Sequence, residues 1–149
     1  MDEILRVQGL TKYFTKKSIF SSKSTTVKAV DDISFSLKKG EVFVLAGESG
    51  SGKSTTARLI LKAIDADFGK IFFNGEEITD DPKSIKKLRM SCQMIYQDPY
   101  DSINPRMRVH DIVSEPLEIH GIGSTEERKK LVLEALHEVK LEPADDIVK

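Results

Sequence analysis

The chain has 149 residues, 39% of them hydrophobic and 32% charged, with a formal net charge of −1. That is one domain's worth of chain with enough apolar content for a core; no apolar stretch approaches the ~20 residues that span a bilayer, and the near-neutral balance supplies no general basic field for nucleic acid. The single cysteine, Cys92, excludes an internal disulfide and fits a reducing compartment, and the acidic start Met1-Asp2-Glu3 does not read as a secretory leader.

In chain order, Ile4 to Leu10 alternates as a strand does. Lys16 to Thr26 is serine- and lysine-rich and predicts a flexible loop. Lys12, Lys16, Lys17, Lys23 and Lys28 make a local basic stretch, read as a solvated face. Val27 to Leu37 predicts one or two strands broken at Asp31-Asp32, and Lys39-Gly40 a turn. Glu41 to Ala46 is a short apolar run rich in strand formers, and Thr56 to Lys62 continues with helical spacing. Lys70 to Phe73 is strand-like and stops at Asn74-Gly75, a strong hairpin signal. A short helix is expected over Ser84–Arg89, after Pro82, and a strand over Cys92–Tyr96, which Pro99 then halts. Val109 to Ile119 has helical spacing interrupted by Pro116. Ser124-Thr125-Glu126-Glu127 predicts a capping box before a helix over Thr125–Lys140, and Pro143 suits the first turn of a last short helix. His110, His120 and His137 lack the spacing of a metal site.

Between the apolar run and the helix lies Gly47-Glu48-Ser49-Gly50-Ser51-Gly52-Lys53-Ser54-Thr55, which fills G-x-x-x-x-G-K-[ST] without a mismatch. A phosphate chain carries several negative charges and needs many donors at short range. Glycines let the backbone curl so that successive N–H groups face one concave spot, and the following helix aims the positive end of its dipole there. Lys53 can reach the β- and γ-phosphates, and the Ser54 hydroxyl can ligate Mg²⁺. Gly50-Ser51-Gly52 alone would suit a linker, but the strand–loop–helix context is the one the motif requires.

Further motifs stand in order around this loop. Leu10-Thr11-Lys12-Tyr13-Phe14 and Val30-Asp31-Asp32-Ile33-Ser34-Phe35 precede it, and Met94-Ile95-Tyr96-Gln97-Asp98-Pro99 follows. Together they resemble the ATP-binding cassette family, the last segment resembling its Q-loop. The insertion between Phe14 and Val27 and the run Gln97 to Arg106 look like ATPase subunits of oligopeptide and dipeptide importers. Nickel and glutathione importers belong to the same group.

The resemblance implies an α/β P-loop NTPase fold of cassette type. Residues 1–98 would form a mixed β-sheet core around the Walker A helix with an antiparallel β subdomain, and 99–149 the start of the helical subdomain. ATP and Mg²⁺ are the implied cofactors. Gly47, Ser49, Gly50, Ser51, Gly52, Lys53, Ser54 and Thr55 would hold the phosphates. Phe14 is the better match for the aromatic that stacks on adenine, with Tyr13 second. Lys53 and Gln97 would be the catalytic side chains, Ser54 and Gln97 those at the metal. Glu48 receives no catalytic role.

Transmembrane permease subunits, a second cassette ATPase and, indirectly, an extracellular solute-binding protein are the implied partners, at the cytoplasmic face of the membrane and without nucleic acid. A soluble cassette ATPase of DNA repair or translation is the alternative. The family's Walker B Asp-Glu, signature helix and switch histidine do not occur in the 149 residues: no four-residue apolar run ends in Asp-Glu, and there is no Ser-Gly-Gly. The chain therefore reads as the N-terminal portion of a cassette, ending before the signature. It is expected to bind nucleotide, to hydrolyse it negligibly by itself, and to leave the P-loop strand short of its Walker B neighbour.

Overall fold

The computed structural model describes residues 3–17, 24–98 and 103–141. The chain divides into two compact units, Met1–Met94 and Ile95–Lys149.

The first unit is built on an antiparallel sheet. Strand β1 (Glu3–Lys17) pairs with β2 (Ser24–Lys38) on one side and β3 (Phe68–Phe73) on the other, and β3 continues to β4 (Glu76–Glu77). Alternating apolar residues set the register: Val7 lies opposite Phe35 and Ile71, and Leu5 opposite Leu37 and Phe73. Asn74 and Gly75 both have positive φ, 50° and 80°, the conformation of a tight hairpin turn with the strands' own twist. At Asp31-Asp32 the predicted break is a bulge within one continuous strand. Asp32 takes φ 52° and its N–H donates to Thr11 Oγ1 at 3.1 Å, so the ladder's lost bond is replaced by a side chain. The predicted loop from Lys16 to Thr26 is shorter than the composition indicated, because Thr15 to Lys17 pair with Thr26 to Ser24; residues 18–23 lie outside the described residues.

Helix α1 (Lys53–Ile60) and helix α2 (Pro82–Ser91) share one core with the sheet. Val7, Leu10, Val30, Leu59, Ile71, Phe73, Ile78 and Leu88 are its buried residues, with Cys92 packed against it. Helix α2 starts earlier than predicted because Asp81 caps it, accepting the N–H groups of Lys83 and Ser84 at 3.1 and 3.2 Å, with Pro82 in the first turn. Gly69 admits no side chain: a Cβ there would lie 2.5 Å from the Gly9 oxygen and 2.6 Å from Leu10 Cα, so β3 crosses β1 backbone to backbone.

Two predicted strands are absent. The run 41–46 has no strand partner among the described residues, and Val42 and Val44 are 89% and 75% exposed. Glu41 is tied to Lys38, its N–H donating to the Lys38 oxygen at 3.1 Å and its carboxylate accepting the Lys38 N–H at 2.7 Å, and the Phe43 ring stacks on Phe35 at 4.8 Å. Residues 92–96 likewise form no strand. Strand propensity describes a residue that fits a pleated surface, and without a neighbour to take its backbone bonds it does not create one. The expected mixed sheet is antiparallel throughout its described strands.

In the second unit, helix α3 (Val109–His120) runs through Pro116 without breaking, against expectation, and ends at Gly121 with φ 70°. One internal hydrogen bond is lost to the proline ring, and the turns on either side hold. Helix α4 (Thr125–Glu138) begins at the predicted capping box: Ser124 Oγ accepts the Glu127 N–H, and the Glu127 carboxylate accepts the Ser124 N–H at 2.7 Å. Val132 and Leu136 pack with Val113, Leu117 and Leu133. The helix expected at Pro143, and residues 99–102 of the Q-loop motif, lie outside the described residues.

Candidate phosphate-binding loop and base platform

The glycines of the loop carry its shape. Gly50 and Gly52 take φ 83° and 94°, in the left-handed region that favours glycine. Gly52 is fixed by a neighbour as well: a Cβ on it would meet the Ala29 carbonyl oxygen at 2.0 Å. The loop's exit therefore rests on the backbone of β2. From there the chain turns into α1, whose first turn is tied down by Thr56. Its N–H and hydroxyl both donate to the Gly52 oxygen, at 2.8 and 3.0 Å, and both Thr56 and Leu59 are buried.

Helix α1 has no side-chain cap and no acidic residue in its first turn. Its leading N–H groups and dipole are thus unopposed by local negative charge, the electrostatic basis of an anion site. Lys53 curls back over the loop, its Nζ donating to the Gly47 and Glu48 oxygens at 2.7 and 2.6 Å and to Ser51 Oγ at 3.1 Å. The Ser51 N–H closes the turn on the Glu48 oxygen at 3.2 Å. The predicted residues Gly47 to Thr55 are thereby brought into one small loop with its cation inside. Ser49 and Ser54 are exposed on it and Thr55 half-buried; Glu48 contributes its backbone oxygen.

Near the loop, β1 and β2 run on past the Ala29 contact. Phe14 lies opposite Val27, two positions along β2 from the Ala29 contact, and is 46% exposed. The neighbouring Tyr13 is engaged elsewhere: its hydroxyl donates to Asp31 Oδ1, and Lys28 Nζ sits 5.2 Å from its ring centroid and 3.0 Å from Asp31 Oδ2. The Tyr13 hydrogen bond, then that of Lys28, holds the Asp31 carboxyl below the usual range, and the same bond raises the Tyr13 phenol. Of the two candidate aromatics, Phe14 is the one with an open ring. Gln97 belongs to the other unit, exposed in a bend.

Sequence reasoning missed three contributors: Ala29, whose carbonyl seats the loop, and Lys12 with Asp67, which pair beside Phe14. Lys12 stands in the Leu10–Phe14 motif without a role assigned to it, and no motif marks Asp67, which meets Lys12 only across 55 residues of chain. Two clefts of about 300 and 320 Å³ lie around β3, β4 and α2, and the phosphate loop lines neither.

Residues 30–149 match the ABC transporter family. The chain belongs to that family. It is similar to two oligopeptide transport ATP-binding proteins of Bacillus subtilis (strain 168). AppF is 40% identical over 146 residues, covering 96% of this chain and 44% of the relative, and OppF is 45% identical over 144 residues, covering 94% and 45%. The glutathione import ATP-binding protein GsiA of Salmonella typhimurium is 42% identical over 144 residues, covering 95% of this chain and 23% of the relative. The chain thus spans less than half the length of these relatives.

Among solved structures, the bacterial ABC transporter cassette MJ0796, a dimer, superposes with a TM-score of 0.74 at 26% identity, covering 94% of this chain and 59% of the other. CbiO1 of Clostridium perfringens, part of the cbiONQ ABC transporter complex, gives 0.66 at 28%, covering 92% and 50%. The fold is that of an ABC ATPase cassette, an α/β P-loop NTPase, shortened relative to whole cassettes.

Proposed function

We propose that this chain is the nucleotide-binding part of the ATPase subunit of an importer of short peptides, with glutathione, itself a peptide, in the same solute class. The observation that carries the reading is the loop closed around Lys53 at the uncapped start of α1. On ATP binding the ammonium exchanges its three neutral acceptors for the β- and γ-phosphate oxygens, and the loop and helix N–H groups donate to the same anion. Gly47, Ser49, Gly50, Ser51, Gly52 and Thr55 frame the phosphates, and Phe14 stacks on the adenine.

Mg²⁺ prefers hard oxygen donors and keeps most of its ligands as waters and phosphates. The exposed Ser54 hydroxyl suits that demand, having no partner among the described residues. Bound there, the ion would neutralise charge on the β- and γ-oxygens. Lys53 and Gln97 are the catalytic candidates of this chain, Gln97 by its motif, which also assigns its amide to the metal and its loop to the permease. Hydrolysis belongs to the whole protein, and this chain supplies the phosphate-binding half of a site.

Two permease subunits, a second cassette and an external solute-binding protein complete the proposed machine at the cytoplasmic face of the membrane. Segment 1–98 is its nucleotide core and 99–149 the start of its helical subdomain. The dimeric MJ0796 cassette, the oligopeptide-transport relatives and the glutathione-import relative support this reading. No described helix is long and apolar enough to cross a membrane.

Calorimetric titration with Mg-ATP tests it. Lys53→Ala should weaken binding roughly 10- to 150-fold, the loss of a charge-assisted contact of about 1.5–3 kcal/mol. Equal affinity in both proteins would remove the loop from the reading.

A further inference from the structure

The Phe14 ring is not equally open on its two faces. Lys12 Nζ lies over it, 5.7 Å from the centroid. That ammonium is itself held, paired to Asp67 Oδ1 at 2.9 Å, and its side chain is only 17% exposed. The second oxygen of the same carboxylate, Oδ2, accepts the backbone N–H of Tyr13 at 2.6 Å. Asp67 is fixed in turn, because its own N–H donates to the Thr11 oxygen at 2.9 Å. The Asp67 carboxylate thus ties down positions 12 and 13 and its backbone N–H position 11, immediately before the ring. On the other side of position 13, the Tyr13 ring is anchored by Asp31 and Lys28.

We propose that Asp67 is a positioning residue for nucleotide binding: it parks the Lys12 ammonium against one face of Phe14, fixing the ring and leaving the opposite face as the single stacking surface for the base. The inference rests on the stacking role proposed for Phe14. Two physical effects follow. A cation against one face polarises the π-cloud, so the far face becomes a better partner for an electron-rich purine. A ring already ordered also loses less freedom when the base arrives. The Tyr13 N–H, then Lys12, keeps the Asp67 carboxyl below its ordinary range, so the bracket is charged at neutral pH.

The test compares Mg-ATP with Mg-tripolyphosphate, which offers the same phosphates without a base. The sequence contains no tryptophan, so Phe14→Trp places one fluorophore on the platform and its quenching reads base contact directly. Phe14→Ala should weaken ATP about 5- to 100-fold and leave tripolyphosphate unchanged. Asp67→Asn and Lys12→Met should each weaken ATP about two- to fivefold, again sparing tripolyphosphate, with Lys12→Arg restoring most of the loss. In the Phe14→Trp background either change should reduce ATP-induced quenching.

If Phe14→Ala affects neither ligand, or both equally, the stacking reading itself falls. If Phe14→Ala behaves as stated while Lys12→Met and Asp67→Asn leave ATP affinity untouched, the positioning role alone is overturned. Parallel loss of both ligands in Asp67→Asn and Lys12→Met would make the bracket a stability element and also overturn it. Should Asp67→Asn fail to melt cooperatively, Lys12→Met, which keeps an unbranched side chain of similar length within β1, carries the comparison.

Discussion

The phosphate loop and the apolar run that leads into it are adjacent in sequence and opposite in what holds them. The loop is closed by short-range chemistry: Lys53 on the Gly47 and Glu48 oxygens, Ser51 on Glu48, and Thr56 on Gly52. Residues 41–46 carry a strong strand signal, yet they have no partner strand among the described residues and Val42 is 89% exposed. A structure written within ten residues of itself forms from those residues. A strand is a relation between two segments, and one segment cannot supply it.

The sharpest way to break this contrast is at Gly52, where the loop depends on something distant. Gly52→Val puts a branched side chain at φ 94° against the Ala29 oxygen, and should cost about 3–5 kcal/mol and abolish Mg-ATP binding together. Melting and titration of the same sample check it, and an unaltered melting temperature would show that the loop does not rest on β2.

A second local device, the capping box of α4, offers a smaller test. Ser124→Ala should destabilise that helix by about 1 kcal/mol. The Glu127 carboxyl is held below its ordinary value by the Ser124 N–H, then by the Ser124 hydroxyl. Its folded value lies under its unfolded one, so its contribution is complete above about pH 4.5 and fades as pH falls through the folded value. Glu127→Gln should therefore flatten the acid limb of stability below about pH 4.5 and leave that limb's neutral plateau flat, as read by denaturant midpoints across pH.

The least effect is expected in the apolar run. Val42→Thr should change stability by no more than about 0.5 kcal/mol, the behaviour of a surface position. A loss beyond about 1 kcal/mol would reveal a partner for the run and erase the contrast.

These particulars explain what could be read from sequence. The Walker A loop, the Asn74-Gly75 turn and the Ser124 box each encode their geometry in consecutive residues, and each stands where the pattern put it. The extension of β1 and β2 to Lys17 and Ser24 was hidden because polar threonines and lysines pair as well in an exposed hairpin as apolar residues do in a core. The choice of Phe14 over Tyr13 was legible only as a preference. What favours it in the structure is Asp31, 18 residues from Tyr13, taking up the tyrosine hydroxyl. Asp67 was illegible for a stronger reason, since a lone aspartate before a phenylalanine announces no partner.

The reach of that aspartate also orders events in time. The Thr15–Thr26 contact at the hairpin tip closes 11 residues of chain, and the Asp67–Tyr13 contact closes 54. The longer closure costs about 1.4 kcal/mol more in chain entropy, on the order of tenfold in probability. The hairpin bearing Phe14 should therefore zip before its bracket, which needs β3 in place. On the stacking role proposed for Phe14, competence to hold a base would be a clock for the end of folding: in refolding followed by stopped flow, hairpin signals should precede the return of ATP quenching in the Phe14→Trp protein, and simultaneous recovery would refute that order.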